Sequence, residues 1–126
     1  DMITKNVTVT IKDDRVSLSE KIILYQQDKG IEIYLTLNGL TYTFPQGGLN
    51  GVYVDAQLQK PNGTIVDLSN LSMSNGKVKF NIDSTMTDEL TEVGTHLLQI
   101  RLYDSSSKTN RVSIPPISFE VKGTLS

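Results

Sequence analysis

The chain has no cysteine and no tryptophan, and only one histidine among its 126 residues. Without cysteine there is neither a disulfide nor a thiolate metal site, so packing alone must hold the fold. A lone histidine builds a zinc site only if carboxylates complete it, and no suitable cluster accompanies His96. No apolar run approaches the ~18 residues of a membrane-spanning helix. The opening DMITKNVTV lacks the apolar core of a secretion signal. Neither sign of charge is in excess. Twelve Lys and Arg against 14 Asp and Glu leave a formal net charge of −2, which offers nucleic acid no electrostatic footprint.

Catalytic signatures are missing too. There is no G-x-S-x-G elbow with a paired base. Gly47, Gly48 and Gly51 lack the lysine and following helix of a phosphate loop. The acidic residues Asp13, Asp14, Asp83, Asp88, Glu89 and Glu92 show no EF-hand spacing, and nothing places two of them across a cleft as glycoside hydrolysis requires. They read as solvated loop groups. The chain is therefore expected to be no enzyme, with no catalytic residue, cofactor or metal, and to bind neither nucleic acid nor membrane.

What is present favours strands: Thr, Ser, Val and Ile abound and Ala is scarce. The length fits a single domain over residues 1–126 and can bury roughly two-thirds of the unfolded surface. The organising stretch is residues 52–68, VYVDAQLQKPNGTIVDL. Val52, Val54, Ala56 and Leu58 alternate with Tyr53, Asp55, Gln57 and Gln59, a period of two that sends one set to a core and the other outward. Pro61-Asn62-Gly63 then reads as a type I′ turn returning the chain through residues 64–68.

The same alternation marks residues 3–11, broken only by Lys5. It recurs over residues 31–37, where Ile31, Ile33, Leu35 and Leu37 oppose Glu32, Tyr34 and Thr36. Residues 16–27 fit either a short helix capped by Ser19 or an edge strand; their β-branched content favours strand. Residues 40–44 read as a short strand and 69–74 as a bridge. Asn75-Gly76 is a second type I′ turn before inward Val78, Phe80 and Ile82. One helical turn is expected near residues 83–90, capped by Ser84 or Thr85. A long strand follows Gly94, with Leu98, Ile100 and Leu102 in one phase and Leu97, Gln99, Arg101 and Tyr103 in the other. Ile117, Phe119 and Val121 face the core, and Pro115-Pro116 marks an edge or a crossing between sheets. About eight strands with turns every 8–12 residues predict an all-β, antiparallel, immunoglobulin-like β-sandwich.

Two features carry candidate roles. His96 stands in the core phase of its strand, within Glu92-Val93-Gly94-Thr95-His96-Leu97-Leu98. That run resembles the tyrosine corner of immunoglobulin-like domains, with His96 in the aromatic place, and it assigns His96 a structural backbone hydrogen bond. Tyr34 and Tyr53 fall in outward phases of core strands and are the candidate partner-binding residues.

The order of segments carries a further likeness: GIEIYLTL at residues 30–37, KPNGT at 60–64, NGKVKF at 75–80, VGTHLLQI at 93–100 and ISFEV at 117–121. In this order they resemble the N-terminal domain of upper baseplate proteins from tailed phages of Gram-positive bacteria. The resemblance spans most of residues 3–122, with histidine in place of the usual aromatic at position 96. It implies a non-catalytic structural module of a phage or prophage tail that docks to the baseplate core and supports receptor-binding parts. The implied partners are other baseplate or tail proteins, the implied location is the virion, and trimers would form through segments outside this chain. Asp1 before Met2 reads as an added residue, with Met2 the natural start of a longer protein. The other expectation is a bacterial cell-surface immunoglobulin-like or carbohydrate-binding module, which the absence of Trp disfavours.

Overall fold

The computed structural model describes residues 2–125; the reading of Asp1 lies outside them. In chain order the strands are β1 (Ile3–Lys12), β2 (Arg15–Leu18), β3 (Ile23–Tyr25), β4 (Ile31–Asn38), β5 (Tyr53–Gln59), β6 (Ile65–Leu68), β7 (Leu71–Ser74), β8 (Lys77–Ile82), β9 (Gly94–Tyr103), β10 (Arg111–Ser113) and β11 (Ile117–Lys122). One helical turn, α1 (Ser84–Thr87), sits between β8 and β9. The first sheet runs β2-β1-β4-β8-β7 and the second β3-β11-β9-β5-β6, with β10 also paired to β9. Between them, Val9, Ile33, Leu35, Val78, Phe80 and Ile82 of the first sheet meet Ala56, Leu58, Leu98, Ile100, Phe119 and Val121 of the second, all buried. Burying each of the Val, Leu, Ile and Phe side chains contributes about 1.5–3 kcal/mol.

The all-β sandwich stands as expected, but the expectation of exclusively antiparallel strands is corrected. β1 pairs in parallel with β4, from Ile3 opposite Ile31 to Thr10 opposite Asn38. β3 pairs in parallel with β11. The cause is a change of sheet in mid-descent. β1 turns back as β2, and residues 19–22 carry the same descending run across to the second sheet as β3. The chain then turns at residues 26–30 and re-ascends as β4, so β1 and β4 point the same way. Residues 16–27, whose β-branched content favours one edge strand over a short helix, thus hold two strands, β2 ending at Leu18 and β3 starting at Ile23. The β6–β7 run changes sheets in the same manner at Ser69-Asn70, so the expected bridge ends in a strand.

Turn chemistry explains further differences. Asp13-Asp14 and Asn75-Gly76 adopt positive φ at both residues, the type I′ geometry. Asn62 does not; only Gly63 is left-handed, at φ 92°. Gly63 N donates to the Lys60 carbonyl at 2.8 Å and Lys60 N to the Thr64 carbonyl at 2.9 Å. Pro61 presets the first corner of a type I turn, and the glycine forms the bulge behind it. The cap of α1 is Asp83, whose carboxylate accepts from Thr85 N and Met86 N, rather than Ser84 or Thr85. Residues 40–44 form no strand, although Phe44 is buried under the edge of Tyr42. Pro115-Pro116 interrupts one edge: residues 114–116 stand opposite only Gln99 and Ile100 of β9, a one-residue bulge where proline has no N–H to pair.

Gly39 closes β4 against β1. Its φ is 86°, and an added Cβ would lie 2.2 Å from the Ile11 carbonyl oxygen. Gly39→Ala is therefore expected to destabilise by about 3 kcal/mol. Gly48, with open space around it and no left-handed backbone, should accept alanine within about 0.5 kcal/mol. Urea unfolding of the two variants checks the contrast.

Candidate partner-binding faces

A sandwich of this kind leaves two outer faces, and their chemistry differs. On the first sheet, β1, β4, β7 and β8 direct Asn6, Thr8, Thr36, Ser72, Lys79 and Asn81 outward, alternating with the core residues. Tyr34 lies among them at the centre of β4, between Asn6 and Lys79. It is half-buried. Lys79 Nζ pairs with Glu32 at 2.6 Å, which raises the Lys79 pKa, the Glu32 hydrogen bond outweighing desolvation. This face is polar.

The second sheet presents two halves. The upper half is a charged network. Asp55 on β5 accepts from Arg101 Nε at 2.7 Å, from Tyr103 Oη at 3.1 Å and from Lys108 Nζ at 3.1 Å. Arg101 also lies 3.8 Å from Asp67 on β6. Lys108, in the loop after β9, stands 5.1 Å above the Tyr103 ring. The loop explains why Tyr103, outward by phase, is buried. Burial pushes the Asp55 carboxyl up, but the bonds from Arg101, Lys108 and Tyr103 together outweigh it and hold its pKa below the ordinary carboxylate value. Tyr53 sits at the upper end of this half, opposite Tyr103 and 47% exposed.

The lower half exposes apolar side chains among polar neighbours. Leu97 on β9 stands between Ser118 of β11 and Gln59 of β5, and Gln59 faces Ile65 of β6. Tyr25 of β3 pairs with Lys122 of β11. Tyr25, Ile65, Val93 and Leu97 are all exposed. Sequence reasoning misses this group. A signal exists in Leu97, an apolar residue in the outward phase of β9, but the grouping of the four depends on sheet order.

The structure does not bring Tyr34 and Tyr53 together. They occupy outer faces of opposite sheets, so one flat partner cannot reach both. His96 is where its phase puts it, buried in the core and stacked on Phe119, with Nδ1 3.2 Å from the Gly94 carbonyl. The corner bond to backbone expected of it is present. Among the described residues, no group of three or more His, Asp or Glu side chains is arranged to hold a metal ion, and no helix is long and apolar enough to cross a membrane.

Neither a family model nor a curated protein sequence matches the chain. Among solved structures, the N-terminal domain of phage TP901-1 ORF48 superposes with a TM-score of 0.59, at 14% identity, covering 96% of this chain and 99% of that one. The fold is one found in a phage protein. It is shared end to end, with few residues in common, so the likeness lies in the architecture and not in particular side chains.

The Asp55 network yields a stability prediction. Asp55→Asn should cost about 1.5–3 kcal/mol at neutral pH by leaving Arg101 and Tyr103 short of their acceptor. The folded-state pKa lies below the ordinary 3.8, so the carboxylate's contribution is whole above that pH and is lost as pH falls through the folded value. The stability gap between wild type and variant should stay constant from pH 7 to 5 and shrink below about 4. Urea unfolding across this range checks it.

Proposed function

We propose that the chain is a non-catalytic structural module of a phage or prophage tail baseplate, and that it docks its protein to the baseplate core and supports receptor-binding parts. The observation that carries this reading is the end-to-end likeness to a phage protein's N-terminal domain. It falls on the same order of segments that resembles the upper baseplate family. On this reading the sandwich is an immunoglobulin-like variant, its partners are other tail proteins, and its location is the virion.

The outer face of the second sheet is the favoured docking face. Its lower half exposes Tyr25, Ile65, Val93 and Leu97, and Tyr53 stands exposed at its upper end. Among the described residues, the first sheet's outer face exposes no large apolar side chain. Recognition cores are built on apolar and aromatic anchors inside a polar rim, and the second sheet has both.

The test begins with the chain immobilised and exposed to lysate from host cells producing phage, with retained proteins identified by mass spectrometry. Recovery of a baseplate core protein supports the reading and supplies the partner. Retention of cell-wall glycan with no tail protein overturns it and favours a cell-surface module. With the partner in hand, Tyr53→Ala is expected to weaken binding about tenfold, the scale of losing one interface anchor. Tyr34→Ala, on the opposite face, should leave affinity unchanged.

A further inference from the structure

His96 is the chain's sole histidine. It is 0% exposed and the one polar side chain in the buried core of the described residues. Its Nδ1 meets the Gly94 carbonyl, so in the neutral ring Nδ1 is the donor and Nε2 the bare acceptor. Nε2 has no partner among the described residues. The ring stacks on Phe119 at 5.1 Å, and Phe119 in turn meets Phe80 of the facing sheet.

The charged groups around the ring come from each neighbouring element. β11 brings Glu120, bonded to Thr95. The β5–β6 turn brings Lys60, paired with Glu89 at 2.7 Å. The approach to β9 brings Glu92. The first sheet directs one charged side chain inward, Lys5, whose Nζ is given to the Ile23 carbonyl. None of these supplies an acceptor to Nε2. A second proton on the ring would therefore be an unpaired N–H in an apolar core, carrying a charge. Burial pushes the imidazole pKa below its ordinary 6.5, and Lys60 pushes the same way. The Gly94 carbonyl, Glu92 and Glu120 oppose the shift without reversing it.

His96 also sits where a local opening can begin. It lies two residues inside the start of β9. Gly94 there has φ 134°, and an added Cβ would meet the Pro61 ring at 3.1 Å, so the β5–β6 turn is seated directly on it.

We propose that the His96 corner is an acid-sensitive latch: the neutral imidazole holds the start of β9 between β11 and the turn at residues 60–63, and its protonation opens this lower end of the second sheet. An opened chain binds a proton near pH 6.5, whereas the closed one binds it only at lower pH. Closure is therefore unaffected above about 6.5 and weakens as pH falls below that value toward the folded-state pKa. Histidine is the side chain whose ordinary pKa falls between about pH 5 and 8, and His96 is the only one in the chain. The latch stands independently of any docking role.

The experiment is an NMR titration of the intact chain from pH 8 to 4.5, in which the only imidazole gives one ring signal. It is paired with amide hydrogen exchange corrected for intrinsic rates. The ring should titrate clearly below 6.5. Amides of residues 94–97 should open about tenfold more often per pH unit below 6.5, while those of β4 keep their protection over the same range. In His96→Phe, which keeps the stack on Phe119 and cannot titrate, the acid-induced opening should vanish between pH 7 and 5. A ring pKa at or above 6.5, a uniform loss of protection across both sheets, or the same opening in His96→Phe would each overturn the latch. If the phenylalanine variant does not fold, the wild-type ring titration and the contrast with β4 decide alone.

Discussion

Strand β9 is the constraint on which the rest depends. It is ten residues long and hydrogen-bonded on both sides, to β5 from Tyr53 opposite Tyr103 down to Gln59 opposite Leu97, and to β11 and β10 on its other edge. Its side chains alternate without error. Leu98, Ile100 and Leu102 enter the core, while Leu97, Gln99 and Arg101 stand on the outer face. A slip of one residue would put Arg101 into the core and Leu98 into water, so the register is strongly specified. Every functional feature of the second sheet follows from that register. It places Arg101 across from Asp55, Leu97 in line with Ile65, and His96 under Phe119.

The period-two pattern is legible because one face of each strand is buried and the other is not. That is why β1, β4, β5, β8, β9 and β11 can be read from the chain, and why strand phase alone places His96 in the core. Pairing direction and change of sheet are not legible in this way. The β-branched content of residues 16–27 favours strand over helix; it does not say that the run leaves one sheet at residue 19 and joins the other at residue 23. The parallel pairs β1–β4 and β3–β11 arise from that switch, and nothing local encodes them. The turn at residues 60–64 differs for a local reason. Asn-Gly by itself favours type I′, but the preceding proline commits the corner to type I and leaves the glycine as the bulge residue.

The candidate faces show the same division between local and non-local information. Outward phase is visible for Tyr34 and Tyr53, and both point outward. Their separation onto opposite faces depends on which sheet each strand joins. The apolar group Tyr25, Ile65, Val93 and Leu97 draws on β3, β6 and β9 and the segment before it, which are far apart in sequence. Tyr103 keeps its outward phase and is buried all the same, for a different reason. The loop after β9 folds back, and Lys108 covers the ring, so an outward residue becomes buried by a segment that alternation does not describe.

The two halves of the second sheet's outer face suit different tasks. In the upper half Tyr53 stands clear at the end, but beside it Asp55 already receives Arg101, Tyr103 and Lys108, so a partner reaching past Tyr53 would have to displace bonds that the chain makes with itself. Displacing them would leave a charge desolvated and unpaired, which costs more than a rim contact returns. The lower half makes no such bonds at Leu97, Ile65 or Val93, and covering these side chains removes apolar surface from water. Beneath that half lies His96, the one polar side chain of the buried core among the described residues, whose protonation is opposed by burial. The surface most suited to contact thus rests on the part of the core least tolerant of acid, and the neutral His96 ring is what keeps that surface in shape.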